Sequence, residues 1–194
     1  MTIDETLSWR DHIAHLKRSL TKLASSFKII RHFTPPHCKL NMYHAYAYSK
    51  IQYGIEVYGS AGIGPIRQTQ ILQNRVLKIL YNKPWLTPTT ELHKDLEILM
   101  VKDIHALQIA KFAYKYFNNQ TTLPTFEGYF KLTNENHGHN TRNNTHIHID
   151  RKHSAHSVKT LGAHTFNAIP ECIKTSKTLK TFSHKLKVHY NSQY

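Results

Sequence analysis

Apolar residues recur along this chain at helical spacing. Over residues 9–33 they fall at Ile13, Leu16, Leu20, Leu23, Phe27 and Ile30, alternately three and four apart, which predicts an amphipathic helix. Ser8 followed by Asp11 fits a capping box that opens this helix near Trp9. T-P-P at 34–36 punctuates it, and Thr34 can cap a second helix that tolerates Pro35 and Pro36 in its first turn. The second stripe is Leu40, Tyr43, Ala47, Ile51 and Ile55, with Tyr46, Tyr48, Tyr53 and Tyr58 expected mostly as core or half-core bulk. Gly54 weakens the late part, and the helix should stop near Gly59.

Residues 65–81, P-I-R-Q-T-Q-I-L-Q-N-R-V-L-K-I-L-Y, predict a third helix with two unlike faces. On an ideal helix Leu72, Val76, Ile79 and Leu80 share one side, with Ile66 and Leu77 at its margin. Arg67, Asn74, Arg75 and Lys78 gather opposite, with Ile71 among them. One face is expected to be buried while the other holds fixed positive charge outward. A turn-rich connection follows, then a short helix through Leu96 capped by Thr89 or Thr90. Residues 101–118 predict a long helix, apolar over much of its girdle and so expected near the centre of the fold.

From 133 to 157 the chain turns to Asn, His and Thr. Alternation in T-H-I-H-I-D at 145–150 predicts a short strand, with a partner near 157–161. A short helix at 160–169 ended by Pro170 and a basic helix at 178–190, with Leu179, Phe182, Leu186 and Tyr190 on one face, close the chain. The fold class is mainly α: a helical bundle of about five or six helices with a small β element near the C-terminal third. The expected division is a helical bundle over 1–132 and a basic, His/Asn-rich region over 133–194.

Charge changes the picture. Lys and Arg number 26 against 12 Asp and Glu, a net of +14. The excess is distributed along the chain, which favours a polyanionic partner, nucleic acid first. Two cysteines, Cys38 and Cys172, are too few for a disulfide scaffold or a thiolate zinc finger, and fit a reducing compartment, nuclear or cytoplasmic. No apolar run is long enough for a membrane span, and the first nine residues lack the apolar block of a signal peptide.

Candidate chemistry is sparse. G-S-A-G-I-G at 59–64 lacks the Lys-Ser/Thr of a phosphate-binding loop. Asp4, Asp11, Asp95, Asp103 and Asp150 include no adjacent pair, so no paired-carboxylate metal motif can be read. Cys38 lies near a helix start, in no context that marks a nucleophile. His137/His139 and His146/His148 have the H-x-H spacing that chelates on a strand, but no carboxylate or thiolate cluster accompanies them. The metal assignment is therefore none. With His153, His156 and His164 the cluster is read as added positive charge at mildly acidic pH.

A set of short motifs carries a resemblance. I-D-E-T-L-S-W-R-D-H-I at 3–13, L-N-M-Y-H-A-Y at 40–46, I-Q-Y-G-I-E-V-Y-G-S at 51–60 and L-Q-N-R-V-L-K-I-L at 72–80 come first. L-E-I-L at 96–99, Leu123-Pro124, N-T-R-N at 140–143, F-N-A-I-P at 166–170 and T-F-S-H-K-L-K at 181–187 follow. In that order they resemble the region downstream of the polymerase core in non-LTR (LINE-type, jockey-like) retrotransposon reverse transcriptases. Tyr58-Gly59 and Phe166-Asn167 stand where that family usually has Trp-Gly and Trp-Asn.

The resemblance implies a thumb and C-terminal region, with the paired aspartates and Mg ions of an RNA-directed DNA polymerase located in a palm domain outside these motifs. It implies no cofactor and no catalytic residue in this chain, and no polymerisation by the chain alone. The implied partners are RNA or an RNA–DNA hybrid, and a palm/fingers domain supplied upstream or in trans. Arg67, Arg75, Lys78, Lys17, Arg18 and Lys22 are the candidate phosphate contacts, with Arg142 in N-T-R-N. The competing readings are a helical protein-interaction module and a decayed element copy without activity.

Overall fold

The computed structural model describes residue 5 and residues 8–118, 128–133, 146–149, 154 and 157–194, with Ile63 described in its backbone alone. These residues are mainly α-helical and include no strand. The chain divides into two compact units, Met1–His105 with Asn191–Tyr194, and Ala106–Tyr190.

In the first unit, α1 (Arg10–Ile30) buries Ile13, Leu16, Leu20, Ala24 and Phe27, four of them from the expected stripe. Its start differs from expectation. Trp9 takes the N-cap position in the left-handed region (φ 59°) with no side-chain cap bond, so no Ser8–Asp11 box closes it. The Trp9 indole is buried, and that burial outweighs the local capping signal. Thr34 donates its hydroxyl to Ile30 O at 2.9 Å, finishing α1; Pro35 occupies the N-cap of α2 (Pro36–Met42).

α2 passes without a break into a π-helical run, Tyr43–Tyr48, and on into α3 (Ser49–Gln52). The buried residues Tyr43, Ala47, Ile51 and Ile55 are each four apart. Steps of four overshoot the 3.6-residue period, and the wider π turn takes up part of the drift. Of the tyrosines, Tyr43 and Tyr58 are buried and Tyr48 is half-buried, whereas Tyr46 and Tyr53 are exposed. Gly54, at φ 72°, breaks the helix and caps α4 (Ile55–Tyr58). Gly59 then lies so close to His105 that a Cβ there would sit 2.2 Å from the ring.

α5 (Ile63–Leu80) packs along α1, and the π-helical run touches both. α5's buried face is Thr69, Gln73, Val76, Leu77 and Leu80, whereas Leu72 and Ile79 are half-buried. Leu77 is thus central rather than marginal, because two polar residues complete the buried stripe. α6 (Thr89–Asp95) leads to α7 (Val101–Phe117), which carries the chain from one unit into the other.

In the second unit, α7 buries Leu107, Gln108, Ile109, Ala110, Ala113 and Tyr114. The expected strand pair is corrected. Leu132 and Ile147 form an isolated antiparallel bridge, and residues 158–161 belong to α8 (Val158–Asn167). Ser157 explains the difference: its Oγ accepts the Thr160 N–H at 3.1 Å, an N-cap that starts a helix in place of the expected partner strand. Asn167 clamps the bridge, accepting from Ile147 N at 2.8 Å and donating to Ile147 O at 2.9 Å. α9 (Glu171–Lys174) and α10 (Leu179–Asn191) follow, with Phe182 and Leu186 of α10 buried.

Candidate nucleic-acid interface

The α1–α5 pair presents the cations picked out in the sequence. Arg67 and Arg75 are exposed on α5, eight residues apart on one surface, with Ile71 exposed between them. Arg18 and Lys22, a helical turn apart on α1, are exposed as well. Among the described residues, no carboxylate pairs with any of these four side chains. Lys17, Arg18 and Lys22 line a shallow hollow of about 530 Å³ with Ala14 and Thr21.

Lys17 links the two helices. Its Nζ donates to Gln68 Oε1 at 2.7 Å, beside Arg67. Lys78 is half-buried and already engaged: its Nζ donates to Trp85 O at 2.6 Å and stands 5.5 Å from the Trp85 ring centroid. Arg142 lies outside the described residues, as do His137, His139, His153 and His156. His146 and His148 flank the buried Ile147, and His164 is exposed on α8. Among the described residues, no group of three or more His, Cys, Asp or Glu could hold a metal ion.

What sequence reasoning missed is the polar layer that sets the rotation of α5. Gln73 donates to Tyr43 Oη at 2.7 Å and to Leu99 O at 2.8 Å. Gln70 donates to Gln73 Oε1 at 2.9 Å and accepts the Val101 N–H at 2.7 Å. Tyr194 donates to Asp103 Oδ2 at 2.5 Å and accepts the Met100 N–H at 2.8 Å, tying the C-terminus to the start of α7. Burial raises the Tyr43 and Tyr194 pKa values well above the ordinary range, so both stay protonated bridges. The available signal was the Gln70/Gln73/Asn74 cluster on a helix whose apolar stripe is too narrow by itself.

A second hollow, of about 510 Å³, is lined by His12, His15, Leu16 and Ser19 of α1 with Ser49, Lys50 and Tyr53. Burial lowers the His12 pKa, and its Nε2 has no hydrogen-bond partner among the described residues. His105 behaves alike: burial lowers its pKa, a backbone bond to Glu56 opposes this, and Nε2 has no hydrogen-bond partner among the described residues.

Against this geometry the comparisons with known proteins are specific. The chain is 27% identical over 127 residues to the RNA-directed DNA polymerase from mobile element jockey of Drosophila melanogaster. It is 26% identical over 104 residues to the probable RNA-directed DNA polymerase from transposon X-element of the same organism. The chain resembles the polymerases of mobile elements. The matches cover 64% and 52% of this chain but only 13% and 12% of those proteins, so it spans a small part of the length of its polymerase relatives. No family model matches the chain, and no solved structure matches it. Among the described residues, no helix is long and apolar enough to cross a membrane.

Proposed function

We propose that this chain is the thumb and downstream C-terminal part of a retrotransposon RNA-directed DNA polymerase. It grips template–primer nucleic acid, RNA or an RNA–DNA hybrid, through phosphate contacts. Bond making belongs to a palm supplied upstream or in trans, where the Mg ions act. The observation that carries this reading is the set of exposed cations on two packed helices, unpaired with any carboxylate among the described residues, in a chain similar to RNA-directed DNA polymerases. Cations on a stiff scaffold contact phosphates without reading bases, which suits a protein that must move along its substrate. Arg67, Arg75, Arg18 and Lys22 are the principal contacts, Lys17 bridges the helices, and Lys78 adds charge while holding its own loop. Arg142 is assigned the same role from its motif alone.

The test is binding to an RNA–DNA hybrid at low salt by the chain and by Arg67→Glu/Arg75→Glu. Loss of affinity in the folded variant supports the reading; unchanged affinity means that this face is not the contact surface. The chain alone is expected not to extend a primer.

A second reading rests on apolar exposure. Ile29, Ile30 and Phe33 lie uncovered at the end of α1, and Tyr46 meets Phe27 edge-on beside them. In that reading they dock against the palm, and Phe33→Ser would abolish complementation by a palm-containing partner while leaving hybrid binding intact.

A further inference from the structure

The connection after α5 is more than a linker. Asn82 (φ 54°) ends α5 in a Schellman arrangement: Asn82 N–H donates to Ile79 O at 3.2 Å and Lys83 N–H to Lys78 O at 2.8 Å. Residues 84–87 then form a tight turn closed by Thr87 N–H on Pro84 O at 3.1 Å. From the side, Lys78 Nζ bonds Trp85 O at 2.6 Å and stands over the Trp85 ring. Pro88 follows at once as the N-cap of α6. The turn is therefore fixed at both ends and in the middle.

Its two central residues are Trp85 and Leu86, 70% and 90% exposed. Central turn positions ordinarily hold Gly, Asn, Asp, Ser or Pro, whose backbone preferences make the turn. Here they carry two large apolar side chains that add nothing to the core. The chain's other indole, Trp9, is buried. Three cations belong to the tip and its approach: Lys78 at the ring, exposed Lys83 just before the turn, and exposed Arg75 one helical turn back from Lys78, with Glu91 following in the first turn of α6. Among the described residues, no carboxylate pairs with these three cations.

We propose that Trp85 is a base-stacking tip: an unpaired base packs on its ring while the flanking phosphates meet Lys83 and Arg75. This rests on the nucleic-acid reading above and deepens it by naming the strand feature recognised, an overhang rather than a duplex. Single-stranded nucleic acid is held by this pairing of aromatic faces with a basic track. The surrounding cations favour that occupant over an apolar protein groove. A turn already fixed loses little conformational freedom on binding.

The experiment compares a blunt RNA–DNA hybrid with the same hybrid carrying a short single-stranded overhang. The probes are indole emission and affinity, read on the chain, on Trp85→Phe and on Trp85→Ala. The difference between the chain and Trp85→Phe isolates Trp85, because Trp9 is common to both. The overhang is expected to quench Trp85 and the blunt hybrid to leave it bright. Trp85→Ala should lose about tenfold or more in affinity for the overhang hybrid alone, with Trp85→Phe largely rescued. Equal binding of both hybrids by the chain and Trp85→Ala, with Trp85 emission unmoved, overturns the tip while leaving the nucleic-acid reading standing. Failure to bind either hybrid overturns both. Emission that responds to a palm-containing protein and to neither hybrid assigns the tip to a protein contact and overturns the proposal.

Discussion

The two units hold their helices by different means. The first carries a polar layer through its core, where Gln73 joins Tyr43 and Leu99, and Gln70 joins Gln73 and Val101. The second is packed by aromatic rings. Tyr114 stacks on Phe182 with centroids 4.4 Å apart, and Phe130 meets Phe112, Tyr116 and Phe117 at 5.3 to 6.0 Å. Ring packing contributes much area and loose direction, whereas hydrogen bonds from a buried amide fix an angle. The difference teaches where orientation matters. The polar layer sets the rotation of α5, and with it the bearing of Arg67 and Arg75, while the aromatic unit supplies bulk stability.

Several variants sharpen that contrast, beginning with the largest effect. Phe182→Ala should cost about 3–5 kcal/mol in denaturant unfolding, since it empties a fully buried ring site. Hybrid affinity of the protein that remains folded should be unchanged. Gln73→Leu should cost less, about 1–3 kcal/mol, by stranding the Tyr43 hydroxyl and the Leu99 carbonyl. It should nevertheless weaken hybrid binding, because α5 is free to roll. A Gln73→Leu protein that binds as tightly as the parent would break the comparison.

Among the described residues, the histidines whose pKa values burial lowers, His12, His93 and His105, lie in the first unit. His12 and His105 have pKa values lowered from the ordinary 6.5, chiefly by burial. The unfolded chain therefore takes up protons first. Stability is fully present above about pH 6.5 and declines as pH falls toward the folded pKa values. Melting temperature should drop between pH 7.5 and 5, and drop less in a His12→Gln/His105→Gln variant. A flat profile would show that neither ring is held neutral. Smallest in stability is Arg67→Glu/Arg75→Glu, expected within about 0.5 kcal/mol of the parent because both side chains lie in solvent.

Much of this was legible in the chain. The spacing of Ile13, Leu16, Leu20 and Phe27 gave α1 its buried face, and Phe182 and Leu186 of α10 followed the same rule. The misreadings share a cause: a local signal was outweighed by a partner distant in sequence or by a competing cap. Thr69 and Gln73 look like surface residues until Tyr43 and Leu99 are brought beside α5. Residues 157–161 are the expected partner of a strand at 145–150, but the Ser157 cap commits them to a helix. The exposed cations were readable because an Arg amid polar neighbours has no better place. That Lys78 is engaged by the Trp85 carbonyl was not readable, since it depends on how the turn closes.

The most direct test of phosphate gripping is the salt dependence of hybrid affinity, measured for the chain and for Arg67→Glu/Arg75→Glu. Six or so phosphate contacts imply a loss of roughly a thousandfold between 50 and 200 mM salt, and a log–log slope about two units shallower in the variant. Affinity indifferent to salt, or an identical slope in the two proteins, would contradict the account.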